Sequence, residues 1–263
     1  MKRRWTDLAW PVAVAAILLF LLAPILVLIF SAFDGGNIFR FPPQNYSLRW
    51  FETAFGHAEY RKSLWVSTLL GLIASAIAVT LASLAALGLV RGRPGYRFAV
   101  EVLLLAPLTL PLVVWAIALL SIYAQIGLNG TLPGLLLAHV TITLPFAARI
   151  MIATLGEIDP TLEAAAKSLG ATPFRVFWRV TLPLALPGLL SSTAIAFLVS
   201  FNDVVVTTLI AGAGWITFPV RAFSRLRTEG IDPTTIAIGA MIVVFTMAVV
   251  IVGQRLLKLS RRL

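Results

Sequence analysis

His139 is the only titratable side chain well inside an apolar stretch of this sequence, apart from Asp203 near the outer end of the fifth. Around the acid, Ser192, Ala196, Ser200, Asp203 and Thr207 recur at steps of four, four, three and four, the spacing of one helix face. A small, polar stripe of this kind either lines a passage or packs helix on helix, because Ser and Ala let membrane helices approach closely. The passage is preferred, since a carboxylate at membrane depth is costly unless hydrated or paired. Ser192, Ser200, Asn202, Asp203 and Thr207 are therefore assigned to a translocation path. His139 is read as a hydrogen-bonded packing residue rather than a ligand or proton relay. Trp50, in the outer segment Ser47-Leu48-Arg49-Trp50-Phe51-Glu52, is either an external gate or an aromatic anchor at the membrane interface.

The remaining residues withhold what catalysis needs. There is no Cys, which excludes disulfides, thiolate metal sites, iron–sulfur clusters and a thiol nucleophile. With two His in the whole chain, no metal site is assigned. No Gly precedes a Lys, so the phosphate-cradling loop G-x-x-x-x-G-K-[ST] is missing, and any ATP must be hydrolysed by another polypeptide. Proton pumps and intramembrane enzymes place ionisable groups at membrane depth, where these apolar stretches are almost bare.

The elements that position the stripe follow from composition. Of 263 residues, 59% are apolar and 12% charged, against about 45–50% and about 25% in soluble domains, and mean hydropathy is +0.95. The natural solvent is a bilayer. Six stretches are close to the roughly 20 apolar residues that a spanning helix needs: 8–33, 64–90, 102–123, 132–154, 183–201 and 235–252. The predicted fold is all-α, a polytopic membrane protein with six transmembrane helices, treated as one domain over 1–263. The first apolar run is 26 residues, longer than the roughly 7–15 of a signal-peptide core, so it is expected to stay as an anchor.

Charge sets the orientation. One set of loops and both tails carry fourteen Lys and Arg, the opposite loops seven, for net charges of +9 and +1. Basic residues are retained in the cytoplasm, so both termini are placed there. The overall +10 is thus topological, and nucleic acid is excluded as a partner because the cations sit at helix ends.

The longest cytoplasmic segment, 156–182, holds a second feature. Asp159 has the character of an N-cap with Pro160 at the first helical position, and Gly170 can take the left-handed conformation that ends a helix. Thr172-Pro173 repeats the start, followed by Phe174, Phe177 and Trp178 on one face. The short Ala-rich helix is either an interfacial element lying on headgroups or a docking element for a soluble partner.

This segment resembles the EAA loop of binding-protein-dependent ABC transporter permeases, whose pattern is E-A-A, three residues, Gly, nine residues, then I-x-L-P. Ala165, Ala166, Gly170, Leu182 and Pro183 match; Ala164 stands where the pattern has Glu, with Glu163 one residue earlier, and Val180 replaces Ile. The resemblance implies a type I importer permease of the bacterial inner membrane whose short helix seats on a cytoplasmic ATPase, with Glu163, Ala165, Ala166 and Gly170 as the contact. It further implies a second six-span permease, expected to be a different chain, two ATPase subunits holding ATP and Mg, and a periplasmic solute-binding protein. This chain itself would bind no cofactor.

Ser200-Phe201-Asn202-Asp203-Val204-Val205-Val206 is similar to the second permease of spermidine/putrescine importers, related branches of which move opines, aminobutyrate and aminoalkylphosphonates. In polyamine members an acid commonly fills the first position of the Asn202-Asp203 pair, and another follows the proline matched by Pro111, where this chain has Leu112. Polyamine therefore leads narrowly over a small zwitterion. The alternative class is a stand-alone ion-coupled secondary carrier acting as a dimer.

Overall fold

The computed structural model describes residues 5–38, 40–92, 94–230 and 232–260. In chain order they form α1 (Trp5–Ser31), α2 (Arg49–Gly56), α3 (Ala58–Arg91), α4 (Arg97–Leu105), α5 (Leu112–Ile126), α6 (Leu132–Glu157), α7 (Pro160–Ser168), α8 (Pro173–Val176), α9 (Leu182–Phe201), α10 (Val205–Ile210), α11 (Phe218–Glu229) and α12 (Pro233–Ser260). Among the described residues the only β-type pairing is one bridge between Asp34 and Tyr46. The all-α polytopic plan expected from composition is the one adopted. α1, α3, α6, the run Pro173–Phe201 and α12 each contain a stretch long and apolar enough to cross a bilayer.

The stretch 102–123, read as one span, is broken; its prolines, read as kinks, mark a larger change of direction. α4 continues through a 3-10 turn at Ala106–Leu108, and α5 then leaves at 99° to it. Pro107 and Pro111 lie at the break, and each lacks the N–H that would continue the helical ladder. Such breaks are tolerated at membrane depth where the freed backbone faces protein or a cavity.

The described residues pack as two compact units, one from the residues up to Arg61 with Ala222–Phe245, the other from Lys62–Arg221 with those from Thr246 onward. In the first, residues 10–24 of α1 are exposed, while Leu28, Ile29 and Ala32 at its end pack with Phe51, Ile236 and Ala240. Asp232 starts α12, accepting the Thr235 N–H at 2.6 Å and pairing with Arg225 at 3.3 Å.

In the second unit, α3 presents Ala74, Ala78, Ala82 and Ala86, all fully buried, at four-residue steps. Small residues along one face let helices pack tightly where lipid supplies no hydrophobic drive. Ala147 and Ala148 on α6 and Ala196 on α9 continue this packing. At Gly188 on α9 a Cβ would run into the Thr154 side chain, so the α6–α9 approach depends on glycine there. Ala116 and Leu119 of α5 meet Leu135 and Ile142 of α6 and Val206 and Ile210 of α10.

Candidate functional site

The segment after α6 is organised by local capping. Asp159 Oδ1 accepts the Thr161 N–H at 2.9 Å, and this bond holds its carboxyl below the usual carboxylate range. Pro160 occupies the first turn, where its missing N–H leaves no helical bond unmade. At the far end Gly170 has φ +85°; its N–H reaches Lys167 O at 2.9 Å and the Ala171 N–H reaches Ala166 O at 3.1 Å. These two bonds are the Schellman termination, and they require the left-handed residue. No residue of α7 is buried: Ala164, Ala165 and Gly170 are exposed and Ala166 half-buried, with Leu162 and Leu169 exposed beside them. Phe174 and Trp178 are also exposed, their rings 6.1 Å apart.

Glu163 behaves differently from its neighbours. Its side chain is 13% exposed, and both carboxylate oxygens accept from Arg91 Nε at 3.3 Å, with Arg91 Nη2 at 3.2 Å from Oε1. The Thr181 hydroxyl donates to the same Oε1 at 3.0 Å, and Arg91 Nη2 also donates to Ile158 O at 3.1 Å. Thr181 lies in a π-helical turn, Phe177–Thr181, leading into α9. Glu163 is therefore joined to the end of α3 and the start of α9, whereas Ala164, where the EAA pattern puts its acid, faces outward.

The stripe gathers around His139. Its Nδ1 lies 2.8 Å from Ser200 Oγ and its Nε2 3.0 Å from Thr207 Oγ1, while Thr207 Oγ1 donates to Asp203 Oδ2 at 2.9 Å. Because the one hydroxyl proton of Thr207 goes to the carboxylate, Nε2–H must donate to Thr207 and Nδ1 must accept from Ser200. Asp203 also accepts the Val206 N–H at 3.3 Å and the Thr207 N–H at 2.8 Å, so the paired environment that an acid at this depth needs comes from α10. His139, Ser192, Ser200, Asp203 and Thr207 are all buried inside the unit; Ser192 bonds instead to Leu189 O at 3.0 Å. Asn202 alone of the five path candidates is exposed, its Nδ2 donating to Leu198 O at 3.0 Å. A mostly apolar cavity of about 410 Å³ opens between the α4–α5 break and the turn that joins α9 to α10, lined by Pro107, Leu108, Trp115, Phe146, Asn202 and Asp203 among others.

In the first unit Trp50 donates from Nε1 to Gly36 O at 3.0 Å, with Arg49 over its ring at 4.6 Å, and so ties the loop before α2 to that helix. Sequence reasoning missed Arg91 and Thr181. The one signal for them was the misplaced Glu163, which called for a partner other than the family's.

A short capped rod lies beside charge-poor spans, one of them broken, and comparison with known proteins supplies the family. The family model described as "Binding-protein-dependent transport system inner membrane component" matches residues 78–262. The chain belongs to this family of ABC importer permeases of the inner membrane; it is a transport subunit, with ATP hydrolysis in a separate subunit. It is 29% identical to the spermidine/putrescine transport system permease protein PotC of Haemophilus influenzae over 89% of this chain and 91% of that one. It is 31% identical to the putrescine transport system permease protein PotI of Escherichia coli K12, over 85% and 81%. Its fold matches a chain of the bacterial alginate ABC transporter, solved in complex with an alginate pentasaccharide-bound periplasmic protein, at TM-score 0.68 and 20% identity, over 96% of both chains.

Proposed function

We propose that this chain forms half of the translocation path of an importer for a small organic amine, with spermidine or putrescine leading over a related zwitterion such as an opine, aminobutyrate or an aminoalkylphosphonate. The observation that carries the mechanical part is α7, a rod capped at both ends with no buried residue, its Ala164 and Ala165 free to meet a partner. Ala165, Ala166 and Gly170 form the contact with one of two cytoplasmic ATPase subunits, which hold ATP and Mg. A second, different six-span permease completes the path, and an extracytoplasmic binding protein delivers the solute. Both termini and α7 lie in the cytoplasm, consistent with the basic excess there.

ATP binding draws the ATPases together and tilts the rods, opening the path outward; hydrolysis resets it. Asn202 and Asp203 line the solute's route at the cavity, and Ser192, Ser200 and Thr207 belong to the same path. The names of the similar permeases support the amine.

The test is uptake of radiolabelled putrescine by proteoliposomes carrying the purified chain with its co-expressed permease, ATPase and binding protein. ATP-dependent uptake, competed by spermidine and absent when this chain is reconstituted alone, is expected. Uptake by this chain alone, driven by an ion gradient, establishes a secondary carrier instead. Uptake that γ-aminobutyrate or aminoethylphosphonate competes better than spermidine assigns the zwitterion.

A further inference from the structure

We infer that Arg91 and Glu163 form an internal strut that carries the movement of α7 into α3 and α9, and that Glu163 is a positioning residue rather than a contact with the ATPase. The inference rests on the reading of α7 as the rod that meets that subunit.

Three observations carry it. First, Glu163 is held from within its own unit: three approaches from Arg91 at 3.2–3.3 Å and one from the Thr181 hydroxyl at 3.0 Å reach its carboxylate, three of the four on Oε1. A guanidinium that grips both oxygens fixes orientation as well as distance, because its donors form a rigid fork. Second, the same guanidinium donates to Ile158 O, so one cation holds both the backbone entering α7 and a side chain of its first turn. Third, Thr181 is buried and belongs to the π-turn that opens α9, a type of helix irregularity found often at functional sites. A push on α7 thus has a bonded route to the last residue of α3 and to the base of the span that bears Ser192 and Ser200.

Placement explains the sequence departure. Position 164 is about 100° around the helix from 163. An acid at 164 projects from the exposed side, whereas at 163 it points inward to Arg91. The shift of one residue converts an outward acid into an inward brace.

The chain has no native cysteine, so two reporters can be added cleanly. Thr193→Cys, exposed on α9, carries an environment-sensitive fluorophore, and Ala165→Cys, exposed on α7, is cross-linked to the ATPase in the assembled transporter. Addition of ATP and vanadate is expected to change the α9 signal in the parent. In Arg91→Gln and in Glu163→Gln that change falls roughly fivefold or more, the lower range of couplings between distant sites, while the Ala165 cross-link persists. The exchange Arg91→Glu with Glu163→Arg restores the ion pair but not the bond to Ile158 O, so it recovers part of the change, a rescue that general misfolding does not give. An undiminished α9 change in both single variants, with the cross-link intact, overturns the strut and leaves the docking of α7 standing. No cross-link in the parent overturns the reading on which the strut rests.

Discussion

Replacing Thr207 by Val tests the buried network at the point where it is most exposed to a single change. Val keeps the shape of Thr, so no cavity opens and the loss is confined to hydrogen bonds. His139 Nε2 then has no acceptor in a fully buried site, and a stranded buried donor costs about 1–3 kcal/mol. Asp203 loses one of three donors but keeps the N–H groups of residues 206 and 207, so it adds little. Ser200→Ala leaves Nδ1 as an unsatisfied acceptor and is expected to cost less, about 1 kcal/mol. In the double variant His139→Leu with Thr207→Val, the cost falls short of the sum of the singles because the two share one bond. The assay is the half-life of the monodisperse purified protein at raised temperature, where a loss of about 2 kcal/mol shortens it by up to about 30-fold. A Thr207→Val half-life within about twofold of the parent refutes the reasoning, because the stranded donor must then have found another partner.

Other outcomes follow from the same structure. Gly170→Val forces a β-branched residue into left-handed backbone at about 1–2 kcal/mol and puts bulk at the ATPase contact, so it is expected to abolish coupled transport, whereas Gly170→Asn, which tolerates that region, keeps part of it; unchanged transport-linked ATPase activity in Gly170→Val counts against both roles. Gly188→Ala drives a Cβ into Thr154 and costs about 1–3 kcal/mol in thermal stability; Thr154→Gly in the same chain relieves the clash, whereas Thr154→Ala does not, because the Thr154 Cβ itself lies 2.6 Å from the added methyl. The Asp159 carboxyl is lowered by the Thr161 N–H bond, so its stabilisation of α7 is full above the ordinary carboxylate value and lost as pH falls through the lowered one. Amide exchange at Thr161 is therefore expected to be pH-insensitive in protection down to mildly acidic conditions and to lose protection only below them, and Asp159→Ala removes it throughout. Trp50→Phe deletes the bond to Gly36 O, and faster exchange across residues 34–38 and 44–47 is expected, with uptake unchanged unless the ring also gates the path.

The sequence was most legible where structure is local. The limits of α7 could be read because Asp159, Pro160 and Gly170 act within one turn of themselves. Pro107 and Pro111 marked the place near residue 108, but as kinks within one span rather than a break of 99°, an angle that neighbouring helices set. The stripe on the fifth span was periodic, yet α9 stops at Phe201, so Asp203 and Thr207 lie beyond it. What aligns them with Ser200 is His139, which lies 61 residues from Ser200 and 68 from Thr207 and which sequence alone assigned only to packing. Arg91 is 72 residues from Glu163, and no local pattern announces a pair at that separation. Orientation and partners of this kind are properties of packing, and one sequence does not display them.

The most direct measurement is site-specific cross-linking from Ala165→Cys in intact inner-membrane vesicles of known sidedness, read by mass spectrometry. A covalent link to a nucleotide-hydrolysing subunit, with thiol access from the cytoplasmic face alone, is the predicted result. A thiol shielded in lipid, or reached only from the outer face with no such subunit attached, contradicts the assignment of α7 as the rod through which ATP drives transport.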